Sequence, residues 1–109
     1  MSDPQVGSTT FSIRVTSDGV TVVSLFGELD VTTVDDLRPS LNSLAARRLS
    51  RVELDLSRLR MIDSIGTGVL VAFYKRMRAH GGEVVLRETG GQPLAILRLV
   101  HLDRILLRP

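Results

Sequence analysis

The chain has 109 residues, 43% of them apolar and 24% charged, with a formal balance of +2, which is enough for one buried core and too little for two ordinary domains. The absence of cysteine excludes a disulfide framework, a thiolate metal site and a cysteine nucleophile, and suits a cytoplasmic protein. The pI near 9.9 comes from dispersed arginines, and the two short clusters, Arg47, Arg48 and Arg51, and Lys75, Arg76 and Arg78, have no aromatic platform beside them, so they read as solvated helix faces and helix C-termini rather than as a DNA-binding stripe.

Residues 1–10 are polar, with no basic segment followed by an apolar one, and are expected to be a flexible start rather than a secretory signal. Residues 11–109 are expected to form one domain. No apolar run approaches the roughly 20 residues needed to cross a bilayer, so no membrane contact is expected. Phe11 to Val15 alternates apolar and polar, and Ser17-Asp18-Gly19 supplies turn chemistry before Val20-Thr21-Val22-Val23-Ser24-Leu25, which predicts a β-hairpin. Gly27, Glu28 and Asp30 follow. Thr32-x-x-Asp35 or Thr33-x-x-Asp36 then offers a capping-box-like start to a helix whose apolar face is Val34, Leu37, Leu41, Leu44 and Ala45. Pro39 sits deep in that helix, so either the first turn begins late or the backbone kinks.

Val52 to Leu56 reads as a short strand that leads through a loop into a second helix. That helix starts near Ile65, carries Val69, Ala72, Phe73 and Met77 on its apolar side, and ends at Gly81-Gly82. Glu83 to Arg87 is a further strand and Gly90-Gly91 a loop. Pro93 opens a short helix with Leu94, Leu97 and Val100 on one side, and Ile105 to Leu107 is a last short strand. With aromatics at only 4%, the core must be built from Leu, Val and Ile, which suits a sheet covered by helices. The alternation of strand and helix predicts an α/β fold in which an N-terminal hairpin joins a mostly parallel sheet of four or five strands under three or four helices.

The most informative stretch runs from Leu54 to Leu70. Ser64 falls at or beside a helix N-cap, where a hydroxyl can accept from free first-turn N–H groups, at the carboxyl edge of a parallel sheet, where ligands and partners meet such folds. Gly66 and Gly68 each cost helix propensity of roughly 1 kcal/mol against Ala. Two readings compensate for that cost: close approach of another molecule to the first turn, or packing against a neighbouring strand.

Asp63-Ser64-Ile65-Gly66-Thr67-Gly68-Val69 is similar to the Asp-Ser-[Ser/Thr]-Gly-Leu-Gly-Val motif of anti-sigma factor antagonists, which are STAS domains. Gly27-Glu28-Leu29-Asp30-Val31-Thr32-Thr33 resembles that family's Gly-Glu-[Leu/Ile]-Asp-x-x-Thr segment. The run from Tyr74 to Val84 and Leu102-Asp103-Arg104-Ile105 match it further, so the likeness extends from Val20 to Ile105. It implies a STAS-like fold and a partner switch. The unphosphorylated chain binds an anti-sigma factor that is also a serine/threonine kinase and frees a sigma factor, phosphorylation at Ser64 reverses binding, and a serine phosphatase restores it. By the same resemblance Asp30, Thr33, Asp63, Ile65, Gly66, Thr67 and Gly68 shape the partner surface. Ile65 stands where the family carries Ser or Thr. Thr67 stands where Leu is common, placing a polar side chain at an expected apolar contact and adding an alternative acceptor hydroxyl.

No cofactor or metal is implied, because no His-x-x-x-His spacing, P-loop or dinucleotide fingerprint is present. The two histidines, His80 and His101, have no recognisable catalytic partner, so enzymatic activity is not expected. The alternative is a STAS scaffold or regulatory subunit of another signalling or lipid-transport assembly.

Overall fold

The structure is a computed structural model, and it describes residues 11–87 and 91–93. β1 (Phe11–Val15) and β2 (Thr21–Leu29) form the hairpin, followed by α1 (Val34–Ala46), β3 (Arg51–Ile62), α2 (Ser64–Ala79) and β4 (Glu83–Arg87). The sheet order is β1-β2-β3-β4. β1 is antiparallel to β2, while β2, β3 and β4 run parallel, as crossovers through α1 and α2 require. The hairpin turns where Ser17-Asp18-Gly19 predicted it. Thr16 bonds Asp18 through its hydroxyl and accepts from the Val20 N–H at 3.1 Å, and Gly19 takes the left-handed φ of 87° that the turn needs.

α1 buries Val34, Leu37, Leu41, Leu44 and Ala45, the face expected from its period. Two local expectations for it are corrected. Thr33 is the N-cap residue but makes no side-chain cap, because its hydroxyl turns back into the preceding loop. The helix does not start late, because it begins at Val34 with Pro39 inside it.

β3 is the larger correction. The expected strand of five residues runs for twelve, through Ser57 to Ile62, which were expected to form a loop. Its buried residues there are Leu56, Leu59 and Ile62, spaced by three rather than two. The register explains this spacing. Ser24 pairs with Asp55 and Leu29 with Ile62, with shifts between Ser24 and Phe26 and between Gly27 and Glu28. β3 carries an extra residue at each shift, and each bulge returns the next apolar side chain to the core face. Gly27, with φ 66°, lies at the second shift, where a left-handed residue is needed.

α2 buries three of the four residues expected on its apolar side, Val69, Phe73 and Met77. Gly66, Thr67, Val69, Leu70, Phe73 and Met77 are buried, whereas Ile65 is 45% exposed and Ala72 is exposed, because the stripe bearing them looks towards α1 rather than the sheet. α2 ends as Gly81-Gly82 predicted. The Gly82 N–H donates to the Met77 carbonyl at 2.8 Å and the Gly81 N–H to that of Arg78 at 3.0 Å, with Gly81 at φ 83°. The two helices touch each other and share one core with the sheet. On β3, buried Glu53 accepts from Arg87 at 2.8 Å and pairs with Arg51 at 3.1 Å. Residues 91–93 are helical, so Gly91, expected in a loop, is already in a helix that was expected to open only at Pro93. The rest of that helix, the last predicted strand and the N-terminal segment lie outside the described residues.

Candidate functional site

The paired ends of β2 and β3 build the site. Glu28 lies opposite Met61 and Leu29 opposite Ile62, and the Asp63 N–H donates to the Leu29 carbonyl at 3.1 Å. The two strands therefore deliver the β2–α1 loop and the start of α2 to one edge.

Asp63, not Ser64, is the N-cap of α2. Its extended backbone turns the carboxylate over the first turn, where one oxygen accepts from the Gly66 N–H at 2.8 Å. The other oxygen accepts from the Val31 N–H at 3.2 Å. The carboxylate thus caps one helix and clips the neighbouring loop to it. Ser64, the first helical residue, is exposed.

The loop carrying Asp30 is closed by hydroxyls. The Asp30 carboxylate accepts from the Thr32 hydroxyl at 2.6 Å and from the Thr32 N–H at 2.9 Å. The Thr32 hydroxyl, followed by its N–H, holds the Asp30 carboxyl below the usual carboxylate range. Thr33 accepts from the Asp30 N–H at 3.0 Å and donates to the Glu28 carbonyl at 2.9 Å. This is why Thr33 caps no helix: its hydroxyl bridges the end of β2 to the loop.

The two glycines divide between the two readings. A Cβ on Gly66 would meet the Leu29 carbonyl oxygen at 2.5 Å and the Leu29 and Ile62 side chains at about 3 Å, so this glycine exists for packing. A Cβ on Gly68 would meet nothing within 4 Å, and Gly68 is exposed, so it leaves the helix open to approach. Thr67 corrects the expectation of a second surface hydroxyl. It is 7% exposed and its hydroxyl donates to the Asp63 carbonyl at 2.8 Å, within its own helix turn.

The exposed residues at this edge are therefore Val31, Thr32, Ser64, Ile65 and Gly68, with Asp30 half-buried beside them. Val31 and Ile65 are two of the three large exposed apolar side chains among the described residues. From Ser64 a groove of about 360 Å³ runs between α2 and α1, floored by Leu41, Val69 and Phe73 and rimmed by Arg38 and Asn42. Sequence reading missed Arg38 and Asn42, because their place beside Ser64 follows from how α1 packs on α2, and Val31, which Asp63 clips to α2. It also missed Gln92, whose side-chain amide accepts from the Ile62 N–H at 2.8 Å and donates to the Ile62 carbonyl at 3.0 Å, fastening the peptide just before Asp63 as a neighbouring strand would. His80 sits at the C-cap of α2, with Nε2 2.8 Å from the Leu49 carbonyl, a structural position. His101 lies outside the described residues.

Comparison with known proteins agrees with this architecture. The STAS domain family matches residues 13–109. The anti-sigma F factor antagonist of Paenibacillus polymyxa is 33% identical over 89 residues, covering 81% of this chain and 76% of that protein. The crystal structure of an anti-sigma factor antagonist from Mycobacterium paratuberculosis superposes with a TM-score of 0.78 at 31% identity, over all of this chain and 91% of the other. The Bacillus cell fate determinant SpoIIAA in its phosphorylated form shares the fold, with a TM-score of 0.74 at 20% identity over 90% of this chain and 89% of that one. Among the described residues no helix is long and apolar enough to cross a membrane. The chain carries a STAS domain and belongs to the anti-sigma factor antagonist family.

Proposed function

We propose that the chain is the antagonist in a partner switch controlled at Ser64. In the unphosphorylated state it binds an anti-sigma factor that is also a serine kinase, and a sigma factor is freed. The kinase transfers the γ-phosphoryl group of ATP to Ser64 Oγ, ADP and the hydroxyl proton leave, and the modified chain dissociates. A serine phosphatase hydrolyses the phosphate and resets the switch.

The observation that carries this reading is the placement of Ser64. It is exposed, it follows the cap of a helix at the carboxyl edge of a parallel sheet, and the exposed apolar side chains of Val31 and Ile65 lie at the same edge. A kinase needs a reachable hydroxyl, and a partner needs apolar surface to bury. Within this reading Asp30, Ile65 and Gly68 meet the partner, whereas Thr33, Asp63, Gly66 and Thr67 shape that surface from within. A phosphate adds close to two negative charges at pH 7, at an edge that already holds Asp30 and Asp63. Burying it unpaired costs several kcal/mol, and about 3 kcal/mol is enough to weaken binding by two decades.

Incubation with candidate anti-sigma kinases and ATP, followed by mass spectrometry, tests the proposal. Wild-type protein is expected to gain one phosphate on Ser64 and Ser64→Ala none, and Ser64→Glu is expected to bind the kinase about a hundredfold more weakly. No phosphate with any kinase tested, together with unchanged binding of Ser64→Glu, would overturn the switch in favour of a STAS scaffold.

A further inference from the structure

A phosphate on exposed Ser64 is stabilised beyond hydration only where a donor or cation lies within reach, and part of the first turn of α2 is already committed. The Gly66 N–H is committed to the Asp63 carboxylate at 2.8 Å, and the Thr67 N–H to the Asp63 carbonyl at 2.9 Å. The nearby carboxylates of Asp63 and Asp30 are like charges that oppose it. The groove beside Ser64 supplies the opposite sign. Ser64 and Arg38 line the same groove, one on α2 and the other on α1, and Arg38 is the single charged residue among the described residues that line it. The neighbouring polar side chain, Asn42, is already held by Arg76 at 2.7 Å.

We propose that Arg38 is the phosphate-binding residue of the modified state, leaving Asp35 to pair with the phosphate on Ser64. This rests on the reading of Ser64 as the acceptor. In the unmodified chain Arg38 Nη1 lies 2.6 Å from an Asp35 carboxylate oxygen, one turn earlier on α1, and the two side chains are 47% and 82% exposed. An exposed pair of this kind contributes little, typically under about 1 kcal/mol. A phosphate offers the same guanidinium nearly twice the charge and three acceptor oxygens in a geometry that suits bidentate binding. On this proposal the phosphate, with its greater charge, displaces Asp35 from the guanidinium. The exchange gives the mark an internal partner across the α1–α2 groove, so that phosphorylation reorganises the groove rim as well as adding charge. The specificity lies in the guanidinium fork, so lysine at this position should serve only partly.

The test uses full-length protein with phosphoserine installed at position 64 during translation, and follows the phosphate by phosphorus NMR as pH is varied. The second phosphate pKa, ordinarily about 6, is expected to lie below that of Arg38→Ala by about 0.5, with Arg38→Lys between them. Asp35→Asn, which removes the competitor, should lower it further in the presence of Arg38 and leave it unmoved in its absence. Arg38 is exposed, and backbone amide spectra confirm that each variant is folded. Coincident titrations of wild type and Arg38→Ala would overturn the proposal. Because no kinase is needed to make the sample, that outcome leaves the switch reading standing. A failure of every kinase to modify Ser64, together with unchanged binding of Ser64→Glu, would remove the switch and leave this titration as it is.

Discussion

The two helices begin at neighbouring places, each just beyond a parallel strand, and each carries at its N-cap a residue suited to capping: Thr33 for α1 and Asp63 for α2. Only the second caps. Thr33 spends its hydroxyl on the Glu28 carbonyl and the Asp30 N–H, closing the loop behind it. Asp63 spends one oxygen on its own helix and the other on the Val31 N–H of the facing loop. The difference follows from geometry: the two carboxylate oxygens of Asp63 lie far enough apart to reach amides of two separate segments, whereas the single oxygen of Thr33 serves two groups of the one loop beside it. One residue type closes a loop, the other binds two loops into one surface, and Ser64 sits on the side that is bound.

The largest expected effect comes from testing how tightly α2 is locked to β2. Gly66→Ala drives a Cβ against the Leu29 carbonyl, and thermal unfolding should show a loss of about 3 kcal/mol. Gly68→Ala, two residues on with open space around it, should instead gain about 0.5–1 kcal/mol from helix propensity. Equal losses at both positions would erase the distinction between a packing glycine and an access glycine.

The cap comparison itself is the next test. Asp63→Ala removes two acceptors and should cost about 2 kcal/mol, and amide hydrogen exchange should speed up at both Gly66 and Val31. Thr33→Val should cost about 1 kcal/mol, with faster exchange at Asp30 and no fraying of the first turn of α1. Fraying there would mean that Thr33 caps after all.

The smallest effect concerns pH. Asp30 has a folded-state carboxyl held below its ordinary value of 3.8, first by the Thr32 hydroxyl. A depressed carboxylate contributes stability that is fully present above its unfolded pKa and is lost as pH falls through the folded one. Stability should therefore decline below about pH 4, and Asp30→Asn should flatten that part of the profile. Thr32→Val should flatten it as well, because the hydroxyl is the leading cause. An unchanged acid limb in both variants would contradict this.

Much of the fold was legible in advance. The hairpin turn, the apolar face of α1 and the Gly81-Gly82 end of α2 each depend on residues within a few positions of one another, and local chemistry is enough to read them. β3 escaped because Leu56, Leu59 and Ile62 follow a spacing of three, and only a partner strand with two register shifts turns that spacing into one buried face. Ala72 was misassigned to the core because a helical period gives the angle between residues but not which side meets the sheet.

The site divides in the same way. Sequence alone determined that Ser64 stands at a helix start beside two glycines, and that the stretch around it resembles an anti-sigma factor antagonist motif. Tertiary structure alone decided that Gly66 packs while Gly68 stays open, that Thr67 is inside, that Asp63 ties Val31 to α2, and that Arg38 shares a groove with Ser64. The reason is distance along the chain. Caps, turns and periods are set by neighbours within a turn or two, whereas each of the other roles needs an atom from a separate strand, loop or helix to arrive within a few ångströms. Only packing brings it there.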